Sequence, residues 1–273
     1  MERVTPHGEL IPRETRIKIS ERYQRITRVI NRVFWNSDSC VNHSLYVGSY
    51  GRGTAIDTSD VDIIVELPLS EKTRVDNCKN NSQSYLLQNV KSAIIDTYPN
   101  SDIHADGQVV VINFKDGIKF EIVPVFERYD PIFRRFGFLY PDTNNGGRWQ
   151  STNPKSEQEA MDIKNDYYHS NGLLKDTCKH IRRLRDDSFS SYHLSGILID
   201  SFVYLAIGEW HWLRDGESGS INTFTYEEYL LNFYNQHTYN EKCMIFIKAP
   251  GSGMNVNVDD WHVLGKILRR MAI

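Results

Sequence analysis

Residues 45–67 read LYVGSYGRGTAIDTSDVDIIVEL. The segment opens as an apolar strand, breaks at Gly48-Ser49, crosses a Gly- and Thr-rich loop and re-enters a strand whose start carries Asp60 and Asp62. Residues two apart in a strand point to the same face, so the two carboxylates project together while Val61 and Ile63 face the opposite, buried side. Like charges at that spacing repel by several kcal/mol unless a cation lies between them. Oxygen donors with no His or Cys nearby suit Mg²⁺ or Mn²⁺. Upstream, Gly48 lets backbone N–H groups approach a phosphate closely, and Ser49 adds a hydroxyl donor. Taken alone, Asp-x-Asp is also an ordinary turn leading into an ordinary strand.

The whole pattern says more than the pair. An apolar residue, Gly48-Ser49, ten residues, Asp60-Val61-Asp62 and an apolar run follow one another. This resembles the signature of the nucleotidyltransferase superfamily related to DNA polymerase β. Gln108 to Phe126 supplies the next piece. Val109–Phe114 and Ile118–Phe126 are β-rich runs separated by Lys115-Asp116-Gly117, a hairpin signal. In the second run Ile118, Phe120 and Ile122 share one face, and Lys119, Glu121 and Val123 the other. Glu121 reads as a cross-strand partner of Lys119, as a solvent-facing residue on an edge strand or, beside Asp60 and Asp62, as a third carboxylate. Two-metal chemistry needs three, because both ions must be held about 3.5–4 Å apart between attacking and leaving oxygens. Pro124 suits an edge position or a bulge near a site.

At 273 residues and a formal charge of −3, the chain is long enough for a sizeable core and two lobes. Mild acidity argues against coating by nucleic acid, though not against a local basic groove. No apolar run approaches membrane-spanning length, and Met1–Arg13 lacks the apolar centre of a signal peptide, so a cytoplasmic protein with no membrane partner is expected. Cys40, Cys78, Cys178 and Cys243 are scattered with no C-x-x-C pair, which points to free, mostly buried thiols rather than structural zinc or a disulfide framework.

Ile17–Phe34 has helical spacing and is expected behind the sheet that carries the aspartates. Pro68–Asn81 reads as a polar surface loop, and Tyr85–Tyr98 as a helix closed by Pro99. Arg128–Lys155 is rich in Asn, Gly, Pro and Thr and reads as a long ordered loop bridging two lobes. From Glu157 onward the patterns are mostly helical, which places a boundary near Pro154. Within Gly172–Asp187, Leu174, Cys178, Ile181 and Leu184 form a buried stripe, while Lys175, Lys179 and Arg182 line another face at i, i+4 and i+7. That basic stripe is either a solvated face or an anion clamp. Phe189-Ser190-Ser191-Tyr192-His193 follows and opens an apolar helix over Leu194–Leu213. A Ser there is either an N-cap or part of an anion site at a helix start. Tyr226–Tyr239 reads as an aromatic core helix, Ile245–Val258 as a loop, and Asp259–Met271 as an amphipathic closing helix.

Together, Gly48-Ser49, Asp60-x-Asp62, Glu121 with Pro124, the Trp149–Pro154 segment, the Lys179/Arg182 helix and Phe189-Ser-Ser-Tyr-His resemble the cGAS/DncV-like nucleotidyltransferases, the CD-NTases of bacterial anti-phage CBASS systems. The likeness runs from about Arg16 to the C-terminal helix. It implies an α+β fold: a polymerase β-like core of mixed sheet and helices over residues 1–154, a mainly helical, OAS-like lobe over 155–273, and an active site in the cleft between them. It implies that Asp60, Asp62 and Glu121 hold two Mg²⁺ or Mn²⁺ ions. Gly48 and Ser49, with Lys179, Arg182 and Ser191, would hold a donor triphosphate, and Tyr192 would stack on a base. Arg182 stands where a Lys is usual in the family, which keeps the charge but changes the hydrogen-bond geometry. The zinc-binding insertion of the animal DNA sensor is absent, so activation by double-stranded DNA is not expected.

The favoured activity is synthesis of a cyclic di- or trinucleotide second messenger from NTPs, acting on a downstream effector through the product, with room for a regulatory partner protein. Transfer of a nucleotide to another acceptor (an RNA 3′ end, an antibiotic or a protein), linear 2′-5′ oligonucleotide synthesis, and an inactive nucleotide- or RNA-binding regulator are the alternatives. The presence of all three carboxylates weighs against the last.

Overall fold

A computed structural model describes residues 2–8, 10–78, 81–130, 135–218 and 224–273. The chain forms two compact units, one of Ile11–Gly51 with Thr58–Pro154 and one of Met1–Leu10, Arg52–Asp57 and Lys155–Ile273. The second unit thus takes two short segments from the N-terminal part of the sequence.

In the first unit, α1 (Arg13–Phe34) buries Ile19, Ile26 and Ile30, as its spacing predicts. They pack with Val61, Ile63, Val65, Phe120 and Ile122 of the sheet, so the helix lies behind the strands that carry the acidic residues. β1 (Ser44–Tyr46), a single turn α2 (Gly48–Gly51) and β2 (Val61–Glu66) follow. Residues 69–76, expected as loop, form α3 (Leu69–Asp76); Val75, buried on the core, gives this polar segment the apolar anchor that makes a helix worth forming. α4 (Ser82–Ile95) starts on an Asn81 cap whose side chain accepts from the Ser84 N–H. Residues 79 and 80 of the expected loop lie outside the described residues.

β3 (Asp102–Asp106), β4 (Val109–Asn113) and β5 (Lys119–Asp130) complete the central sheet in the order β1-β2-β5-β4-β3, with β2 and β5 parallel. The β4–β5 turn is the one expected: Gly117 takes φ +87° and donates to the Phe114 carbonyl. β5 is a central strand rather than an edge. Its pairing with β4 ends at Ile122 and its pairing with β6 (Arg135–Asp142) starts at Phe126, and Pro124, which has no N–H to donate, falls in the interval between. The expected long loop is mostly a hairpin, β6 with β7 (Arg148–Thr152). Turn-rich composition there is overridden by the prolonged β5, which offers a free edge to pair with. Residues 131–134 lie outside the described residues.

The second unit holds α5 (Pro154–Asn165), α6 (Leu173–Ser188), α7 (Gly196–Ala206), α8 (Tyr226–Gln236), a short β8–β9 hairpin (Thr238–Tyr239, Lys242–Cys243) and α9 (Trp261–Ala272). Leu174, Cys178, Ile181 and Leu184 of α6 are buried as expected, against Leu198, Ile199 and Phe202 of α7 and Leu264 and Leu268 of α9. α7 is shorter than the apolar run: it begins five residues after Ser191 and stops at Ala206, before Gly208 at φ +56°. All four cysteines are free, but only Cys178 is fully buried. Among the described residues no helix is long and apolar enough to cross a membrane.

Candidate active site

The register of β2 on β5 builds the acidic site. Asp62 stands directly beside Glu121, and Val61 and Ile63 pair with Phe120 and Ile122, all four of these apolar side chains buried on the other face. Burial of about 1.5–3 kcal/mol per large apolar side chain fixes that register, because a one-residue slip would send both carboxylates into the core. Asp60 precedes β2 by one residue. Its Oδ2 accepts from Lys119 Nζ at 2.8 Å, and the same ammonium reaches Glu121 Oε1 at 2.6 Å. Burial works against that ammonium, but its bonds to Asp60 and Glu121 outweigh it and push the Lys119 pKa up. Glu121 thus bonds Lys119 and stands beside Asp62, on a central strand rather than an edge.

Gly48 and Ser49 are placed by the same strand. The Val47 N–H donates to the Asp62 carbonyl at 2.8 Å, and the Gly51 N–H closes the turn onto the Val47 carbonyl at 2.8 Å. Gly48 has φ +59°, and a Cβ there would lie 1.9 Å from Asp62 Oδ2. Only glycine allows the turn to press so closely on the carboxylate.

On the helical unit, Lys179 is partly exposed and its Nζ donates to the Gly8 carbonyl at 2.7 Å. Ser191 and Tyr192 lie in a turn before α7, both exposed, and the Lys266 ammonium stands 4.0 Å over the Tyr192 ring. The N-terminal position of α7 falls to Ser195 rather than Ser191. Arg182 is not on the basic stripe. It is 1% exposed, and its guanidinium donates to Asp200 Oδ1 at 2.6 Å and Oδ2 at 3.0 Å and to the Gly196 carbonyl at 2.9 Å. Leu174, Cys178 and Arg182 are spaced i, i+4, i+8, so Arg182 continues the buried face. Its fork ties α6 to α7 and is not presented to a ligand.

Asp200 also accepts from Arg52 Nε at 2.8 Å and Thr54 Oγ1 at 3.0 Å, and Arg52 reaches Glu157 at 3.2 Å. Burial raises the Asp200 pKa, but Arg182 and Arg52 overcome it and hold the carboxyl down to about 2. Burial pushes Glu157 up despite Arg52. Sequence reading missed this group. Its signal is an unexplained Asp in the apolar run ILIDSFVYL. The network seats Arg52–Asp57, the piece of chain that joins the Gly48-Ser49 turn to Asp60, inside the helical unit.

Residues 9–165 match the model of the Second Messenger Oligonucleotide or Dinucleotide Synthetase domain. The chain belongs to this family, the CD-NTases. Among solved structures, the Bradyrhizobium diazoefficiens CD-NTase CdnG in complex with GTP superposes with a TM-score of 0.66 at 13% identity, covering 96% of this chain and 84% of that one. The Elizabethkingia meningoseptica CdnE cyclic dinucleotide synthase with GTP and Apcpp gives 0.63 at 14% identity over 98% and 93%. The complex of E. coli MS115-1 CdnC with HORMA-deltaN gives 0.59 at 14% identity over 96% and 84%. At such identities the likeness establishes the fold, which is the α+β nucleotidyltransferase architecture expected from the sequence. No curated protein sequence matches.

The residues of this CD-NTase suit the divalent ions its family implies in donor type and charge. Asp60, Asp62 and Glu121 offer only hard oxygens, and a cation, the Lys119 ammonium, already bridges two of them. Among the described residues no three His, Cys, Asp or Glu side chains are drawn together closely enough to chelate an ion as arranged.

Proposed function

We propose that this chain is a cytoplasmic nucleotidyltransferase that joins NTPs into a cyclic di- or trinucleotide second messenger for anti-phage defence signalling. The observation that carries the reading is the β2–β5 register, which sets Asp62 beside Glu121 with the Gly48-Ser49 turn bonded to the carbonyl of Asp62. The relatives support the substrate class: CdnG is a complex with GTP, and the E. meningoseptica CdnE is a cyclic dinucleotide synthase with GTP and Apcpp.

In this reading Asp60, Asp62 and Glu121 hold two Mg²⁺ or Mn²⁺ ions. Bound there, such ions acidify an acceptor ribose hydroxyl and offset charge on the leaving pyrophosphate. The Gly48-Ser49 turn receives donor phosphate on its N–H groups and hydroxyl. On the helical unit, Lys179 and Ser191 offer a charge and a hydroxyl donor to phosphate, and Tyr192 offers a ring face to a base. Arg182 is assigned to holding the helical unit together instead of the phosphate. Positioning and charge stabilisation supply most of the catalysis. The product carries the signal to an effector, and a protein partner is in keeping with the CdnC relative in complex with HORMA-deltaN.

The test is incubation of the purified chain with all four NTPs and Mg²⁺ or Mn²⁺, phosphatase treatment and mass spectrometry, with Asp60→Asn as control. A cyclic oligonucleotide lost in the control is the expected result. Products that persist in Asp60→Asn, or that are only linear, would overturn the reading.

A further inference from the structure

Lys119 lies two residues before Glu121 on β5, so both side chains leave the same face of the sheet. Stepping the β2–β5 register back by one from Val61 and Phe120 sets Lys119 against Asp60. Its ammonium stands 2.8 Å from Asp60 Oδ2 and 2.6 Å from Glu121 Oε1, on the oxygens that a divalent ion would need. The ammonium takes one oxygen of each carboxylate and its positive charge repels a divalent ion brought beside it, so ammonium and metal compete for the site. Replacing Lys119 by an apolar residue would remove the ammonium that bridges Asp60 and Glu121.

We propose that Lys119 is a tethered counter-ion of the carboxylate site: it holds Asp60 and Glu121 in place while no metal is bound, and metal enters by displacing it. The proposal rests on the metal-site reading above. It makes Lys119 the residue that sets the metal concentration at which the site fills. Because Lys119 is covalently attached, it returns to the carboxylates whenever metal leaves.

The experiment is titration of Mn²⁺ into the full chain without nucleotide, following the electron paramagnetic resonance signal of free Mn²⁺, for the parent, Lys119→Met, Lys119→Arg and Asp62→Asn. Two partly exposed ion pairs are together worth about 1.4 kcal/mol, so Lys119→Met is expected to bind Mn²⁺ about tenfold more tightly. Lys119→Arg, which keeps the charge, stays near the parent. In EDTA, Lys119→Met melts below the parent, and it gains more from added Mn²⁺. Equal Mn²⁺ affinity in the parent and Lys119→Met, with binding abolished by Asp62→Asn, would overturn the counter-ion role and leave the metal site standing. Binding that survives Asp62→Asn, or that is absent from every protein, would overturn the metal site and the counter-ion role with it.

Discussion

Asp200→Asn removes one charge from a buried group of four, Arg52, Glu157, Arg182 and Asp200, whose formal charges cancel. The change nearly preserves shape, so the loss is electrostatic. With the carboxyl held at about 2 against an ordinary 3.8, the charged form is favoured in the fold by about 2.5 kcal/mol. Taking the Asp200 charge away from the buried Arg182 guanidinium, while Glu157 stays with Arg52, raises the cost toward the about 3–5 kcal/mol seen when one partner of a buried pair is removed. At about 2–4 °C per kcal/mol, the melting temperature at pH 7 should fall by about 6–20 °C, measured by calorimetry or circular dichroism. Because the folded pKa is depressed, the contribution of Asp200 is fully present above pH 3.8 and is lost as pH falls toward 2. The gap between the parent and Asp200→Asn should therefore close over that window. Adding Arg182→Met to Asp200→Asn keeps the Arg52–Glu157 pair, rebalances the charge and should recover part of the loss. A single variant melting within about 2 °C of the parent at pH 7 would refute the electrostatic account of this network.

Gly48→Ala forces a Cβ into a positive-φ position 1.9 Å from Asp62 Oδ2; the strain costs about 1–3 kcal/mol, and displacing the carboxylate should lower nucleotide transfer at least about 100-fold with an unchanged circular dichroism spectrum. Parental turnover in Gly48→Ala would remove the turn from the site. Tyr192→Ala should weaken NTP binding about 5- to 150-fold by calorimetry, the worth of one base stacked on a ring, and an unaltered affinity would exclude stacking there. Burial lowers the pKa of His7 and His180, which lie 3.2 Å apart where the N-terminal segment crosses α6. Their contribution is therefore complete above pH 6.5 and is lost as pH falls through the lowered values. Hydrogen exchange at the Val4 and His7 amides, which donate to Glu227 and Asp176, should quicken below pH 6.5 beyond the intrinsic rate change; His180→Gln should reduce that pH dependence and His7→Gln with His180→Gln should abolish it.

What can be read from the sequence depends on whether the deciding contact is local. The α1 stripe, the β4–β5 hairpin and the buried face of α6 follow from spacing within one element, and the structure has them. Residues 135–152 differ because their Gly, Pro and Asn content argues for a loop, whereas β5 continues past Pro124 and supplies a strand edge that composition does not reveal. Arg182 differs for the same reason. Its i+8 relation to Leu174 admits it to the core while its charge argues for the surface, and the carboxylate that draws it inward lies on the next helix. The acidic site shows the boundary most clearly. Repulsion between Asp60 and Asp62 demands a nearby positive charge, and sequence alone can state that demand. Which charge meets it depends on strand register, and register brings Lys119 to Asp60 and Glu121. The demand and its answer are separate facts: one is fixed by the spacing of two aspartates, the other by a parallel pairing between residues nearly sixty positions apart.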